Sequence, residues 1–142
     1  YMEKGFARSF TYDFEDNEVS TKFYSESHIV IDWTSFMLRT PSQENFQANT
    51  DCVCWRLSFT DFQVLFNSIE GFRESGRARF AMSYLELKQN RLAIISNTAK
   101  ERYLLLLKEH PEIINQAPLK HIASYLGVTD TSLSRIRKEI LA

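Results

Sequence analysis

The sequence predicts an α+β chain: a β-rich first half, one long helix, and a C-terminal pair of helices joined by a glycine turn. Three observations carry this prediction. Residues 1–66 are dense in Phe, Tyr, Thr, Val and Ile, and the polar clusters Glu15-Asp16-Asn17-Glu18 and Thr40-Pro41-Ser42-Gln43 break them as turns break strands. Residues 72–99 hold no proline, no glycine after Gly76, and many good helix formers. Residues 118–140 place Ala123, Gly127, Leu133 and Ile136 where two short helices need a small contact residue, a turn glycine and apolar inward positions.

With 142 residues, 44% hydrophobic and 13% aromatic, the chain can build a packed core as one ordinary domain or two small ones. No apolar run approaches the roughly 20 residues that cross a bilayer. The first residues lack the basic, apolar, small-residue order of a secretion signal, so a soluble cytoplasmic protein is expected. Cys52 and Cys54 are the only cysteines. They are poorly spaced for a mutual disulfide and too few for a zinc site without histidines, so buried reduced thiols are expected. Net charge is −1, but residues 1–72 carry 5 basic and 11 acidic side chains whereas residues 73–142 carry 12 and 7. That asymmetry directs the search for an anionic partner to the second half.

Taken in order, Tyr1-Met-Glu-Lys-Gly5 reads as a strand running into a glycine turn, so the chain is expected to begin inside a β domain whose earlier strands are missing. Strands follow at Phe6–Phe14, Val19–Tyr24 and Asp51–Ser58, with Asp16-Asn17 as a hairpin turn and a short helix at Thr60–Phe66. The long helix carries two apolar series, Phe80, Tyr84, Leu87, Ile94 and Ala81, Leu85, Leu92, Ile95. A face that broad needs two partners, read as the β domain and a second copy of the chain. The resulting division is 1–70 for the β domain, 71–97 for the dimerisation helix and 98–142 for the helix-turn-helix domain. Thr98 and Glu101 form a capping box for the next helix; Leu104 to Leu107 supply its core face, Pro111 ends it, and Pro118 starts another at its first turn.

In the helix-turn-helix, Leu119 to Leu126 form the first helix, Gly127 the turn, and Thr129 the hydroxyl cap of a second helix from Asp130 to about Ile140. Ile122, Leu126 and Val128 complete its core. The opposite face then presents Asp130, Thr131, Ser134, Arg135 and Lys138. Arg135 suits the two acceptors of a guanine edge, Thr131 and Ser134 can donate to a base or a phosphate, and Lys120, Arg137 and Lys138 suit the phosphate backbone. A helix pair of this kind serving a protein partner is the alternative, with a ligand-sensing module above it. An enzyme is not expected: His28, His110 and His121 lie in different elements, with no nucleophile elbow, phosphate loop or metal-spaced cluster. His28 in particular reads as a satisfied structural histidine.

In this order of parts, the chain resembles the Crp/Fnr family of transcription regulators, most closely in Ala99-Lys-Glu-Arg-Tyr to Pro111 and in His121-Ile-Ala-Ser-Tyr-Leu-Gly-Val-Thr-Asp-Thr-Ser-Leu-Ser-Arg-Ile-Arg-Lys. The resemblance implies an N-terminal jelly roll, here partial, with Glu3-Lys4-Gly5 and Arg8 as a mid-barrel strand and turn. It also implies a long dimer helix and a C-terminal DNA-binding domain, whose usual hairpin wing has no room before Ala142. Its partners would be double-stranded DNA, a second copy, RNA polymerase and a small-molecule effector. The family's cyclic-nucleotide cassette, a Gly-Glu pair followed by Arg-Ser/Thr-Ala, is degenerate: Ile31-Asp32 and Ser42-Gln43-Glu44 stand in those places. Asp32, Arg39, Ser42 and Gln43 remain as candidate ligand contacts. Glu44 would repel a phosphodiester, so no cofactor is expected and cyclic nucleotide is the less favoured ligand. In the recognition helix Asp130-Thr131 replace the family's Arg-Glu, and Arg135 keeps the last position.

Overall fold

A computed structural model describes residues 1–141. The chain divides into two compact units, one joining Tyr1–Trp55 to the chain from Thr98 onward, the other Arg56–Asn97. In the first unit β1 (Met2–Lys4) pairs antiparallel with β5 (Val53–Cys54), and β2 (Ala7–Tyr12) lies between β3 (Glu18–Tyr24) and β4 (Asn45–Ala48). Helix α1 (Trp33–Leu38) precedes β4. The β1–β2 corner requires Gly5: its φ is 112°, and a Cβ there would stand 2.6 Å from both the Asp51 carbonyl and Cys52 Sγ. In the β2–β3 turn, Asp13 Oδ1 accepts the amides of Glu15 and Asn17, each at 2.9 Å, while Asp16 takes a left-handed φ of 62°.

Both faces of β3 are covered. Adjacent strand residues point to opposite sides. Accordingly, Tyr24 packs with Met2 and Ala7, whereas Phe23 joins Phe6 in a second core shared with the C-terminal helices. Those helices are α4 (Ala99–Glu109), α5 (Pro111–Gln116), α6 (Leu119–Tyr125) and α7 (Asp130–Leu141). The Thr98–Glu101 capping box forms as expected, and hydrogen bonds from Thr98 hold the Glu101 carboxyl below the usual carboxylate range.

The second unit is a helix pair, α2 (Phe59–Ser68) and α3 (Glu70–Ser96), joined where the ring of Phe62 meets that of Phe72, with Phe66 against Phe62 within α2. With 27 residues, α3 is about 40 Å long. None of its residues is buried, and Phe80, Tyr84, Leu85, Leu87, Leu92, Ile94 and Ile95 are all exposed.

Several expectations are corrected. The strand expected over Asp51–Ser58 shrinks to Val53–Cys54; Trp55 still exchanges backbone hydrogen bonds with Tyr1, and the chain from Arg56 onward belongs to the second unit. Cys52 is half-buried and Cys54 exposed, so neither is a core thiol. Pro111 does not merely end α4; it opens α5, where a missing N–H costs nothing. Pro118 is the N-cap of α6 rather than its first residue. Of the α4 leucines only Leu106 is buried; Tyr103 completes the inward face that Leu104, Leu105 and Leu107 do not.

Candidate nucleic-acid interface

Helices α6 and α7 meet through Ala123 and Leu133, both fully buried, with Ile122 and Leu126 buried beside them and Val128 and Ile136 closing the edge. Gly127 turns at φ 68° with open space where a Cβ would sit, so the glycine answers the backbone conformation and not crowding. Its amide donates to the Ser124 carbonyl, and that of Val128 to the Ala123 carbonyl. Thr129 caps α7, its Oγ1 accepting the Ser132 amide at 3.2 Å. From α4, Arg102 Nη2 donates to the Leu126 carbonyl at 2.7 Å and fixes the turn to the helix below.

With Leu133, Ile136 and Ile140 turned inward, the 100° step of a helix puts Thr131, Ser134, Arg135 and Lys138 on the opposite stripe, with Asp130 and Arg137 at its borders. All of these are exposed except Ser134, which is half-buried; Thr129 and Lys120 are exposed too. Lys100 pairs with Glu139 at 3.5 Å. By contrast, Lys120, Arg135, Arg137 and Lys138 have no ion-pair partner among the described residues. The predicted face is therefore assembled, outward and cationic.

The cassette region is arranged differently. Asp32 Oδ1 accepts the Ser35 amide as N-cap of α1, and its Oδ2 accepts the Ser42 hydroxyl at 2.8 Å. Partial burial works to raise this carboxyl, but the hydrogen bonds outweigh it and hold Asp32 below the usual carboxylate range. Asp32, Arg39 and Ser42 line a cavity of about 570 Å³ together with Val30, Phe36 and Phe46. Gln43 is not among the lining residues; its carbonyl accepts from Thr11. Glu44 accepts the Thr21 hydroxyl.

Sequence reasoning missed the seam that joins the sheet to α6. Arg8 is 1% exposed, and its guanidinium donates to Gln47 at 2.9 Å, to Ser20 at 3.1 Å and to Glu18. The Ser20 amide donates to Ser124 Oγ at 3.2 Å, and the rings of Phe23 and Tyr125 meet edge to face at 5.3 Å. The hydrogen bond from Arg8 is the main cause that lowers the Glu18 carboxyl, with the charges of Arg8 and Lys120 adding to it. The available signal was the adjacent pair Phe23-Tyr24, two large apolar residues that a strand aims at opposite faces.

Two histidines differ here. His28 is satisfied, its Nδ1 accepting the Ser25 amide at 2.8 Å. His121 is buried at the seam with Nδ1 unpartnered among the described residues.

No protein-family model matches the sequence, and no curated protein matches it significantly. Solved structures do. A transcriptional regulator assigned to the Crp/Fnr family from Eubacterium rectale superposes with a TM-score of 0.73 over 99% of this chain and 67% of its own, at 13% identity. The c-di-GMP-responsive global regulator CLP of Xanthomonas campestris gives 0.67 over 99% and 75%, at 15% identity. The fold is that of the Crp/Fnr regulators, a mixed helix and sheet architecture with a long helix and C-terminal helices. No helix among the described residues is long and apolar enough to cross a membrane.

Proposed function

We propose that this protein is a transcription regulator that binds double-stranded DNA as a homodimer, with α7 in the major groove. The observation that carries this reading is the outward stripe of α7. A fully packed helix-turn-helix core leaves Arg135, Arg137, Lys138 and Lys120 exposed and without an ion-pair partner among the described residues, where a phosphate backbone would neutralise them. Arg135 is the proposed guanine contact, Thr131 and Ser134 its neighbours on the base edges, and Thr129 and Asp130 the start of the reading helix. The exposed apolar face of α3 is the proposed dimer contact. In the effector domain, the Asp32 carboxylate already holds the Ser42 hydroxyl and caps α1, while the Glu44 carboxylate accepts the Thr21 hydroxyl. An anionic cyclic nucleotide would have to displace that bond and face the Asp32 charge, so the 570 Å³ cavity is proposed to take another ligand or none.

Anisotropy titrations against genomic fragments test the reading. The expected result is preference for a subset of fragments, affinity falling linearly on a log–log salt plot, and a loss of about 1–3 kcal/mol of discrimination in Arg135→Ala. No fragment preference together with no effect of Arg135→Ala would overturn it.

A further inference from the structure

The seam between the sheet and α6 encloses one ionisable group whose surroundings suit only its neutral form. His121 lies on α6 with 7% of its surface exposed, and its Nδ1 is buried with no hydrogen-bond partner among the described residues. A second ring proton would place a donor where no acceptor stands. The charge it brings would add to that of Arg8, which is buried on β2 at the same seam with its own donors already directed to Gln47, Ser20 and Glu18.

We propose that this seam is a proton-operated latch: neutral His121 lets α6 seat on β3 through Ser20–Ser124 and Phe23–Tyr125, and protonation of His121 loosens that seat.

The charged groups around the ring come from each element packed there. Arg8 on β2 and Lys120 on α6 itself oppose protonation; Glu18 on β3 and Asp130 at the start of α7 favour it. Burial is the largest influence and acts with the two cations, so the seated His121 titrates below its ordinary value. The sign follows. A loosened seam exposes the ring to water and returns it to the ordinary histidine range near 6.5, so the loosened form binds the proton more tightly. Seating is fully stabilised above that range and weakens as pH falls toward the seated value. One proton can shift the balance by at most about tenfold per pH unit. Because the same contact joins the sheet to the helix-turn-helix, the latch would pass an acid signal from one half of the first unit to the other. It depends on nothing that α7 binds.

Two readings of the full chain by nuclear magnetic resonance test the latch. The His121 ring is expected to titrate below the ordinary histidine value. The Ser20 amide, whose acceptor is Ser124 Oγ, should lose about threefold in exchange protection between about pH 7.5 and 5.5, after correction for intrinsic rates. His121→Asn should flatten that loss while leaving the protection of β1 amides unchanged. Should His121→Asn fail to fold, Glu18→Gln serves instead: removing a carboxylate that favours the proton should move the His121 titration further down. A ring that titrates at or above the ordinary value overturns the latch. So does a Ser20 protection that is flat with pH, an equal loss in His121→Asn, or an upward shift in Glu18→Gln.

Discussion

The two units of this chain use their apolar residues in opposite ways. In the sheet with its C-terminal helices, Phe6, Phe23, Tyr103, Leu106, Ala123 and Leu133 close into one core. In the α2–α3 pair no residue is buried, and Phe80, Tyr84, Leu87, Ile94 and Ile95 are each more than half exposed. Water tolerates scattered apolar side chains but not a contiguous stripe along a helix about 40 Å long, so the second unit is shaped for contact rather than for independent stability. The difference separates two tasks. On the proposed reading, the first unit holds α7 in place for DNA, and the second supplies the surface through which two copies join.

The sharpest way to break this contrast is to damage the core of the first unit. Leu133→Ala should lower stability by about 3–4 kcal/mol in urea unfolding. Because one core spans both parts, strand and helix signals of that unit should fall together. Charging the stripe should do the reverse: Leu87→Asp with Ile94→Asp should weaken self-association at least about tenfold in sedimentation while leaving the first unit's stability within about 0.5 kcal/mol. Smaller effects sharpen the picture. Gly127→Ala forces a methyl group into a left-handed backbone and should cost about 1–2 kcal/mol, with no clash to add to it. Thr98→Ala removes half of a capping box and should cost about 1 kcal/mol. Cyclic AMP or GMP should produce no binding heat with the wild-type chain, since Asp32 and Ser42 are already bonded to each other.

Much of this was legible in the sequence where local rules decide. The capping box at Thr98, the left-handed Gly127, the cap at Thr129 and the long helix are each fixed by residues within a turn of one another. The stripe of Arg135 and Lys138 followed from the period of the inward residues. What escaped was either short or distant. Helix α1 has six residues and is organised by Asp32, whose carboxylate reads equally well as a ligand contact. Helix α5 hides behind Pro111, which can stop one helix and start the next at a shared residue, His110. Strand β4 buries no side chain, so no alternation marks it. The seam is the deepest omission, because Ser20 and Ser124 meet across 104 residues and no local pattern in either element names the other.

The central claim is that two copies present two α7 helices to one duplex. Hydroxyl-radical and methylation footprinting on a selected fragment tests it most directly. The account predicts a two-fold-symmetric footprint with two major-groove contacts about one helical turn, roughly 34 Å, apart, and loss of guanine protection in both halves for Arg135→Ala. A single unsymmetrical contact, or protection that survives Arg135→Ala unchanged, would contradict it.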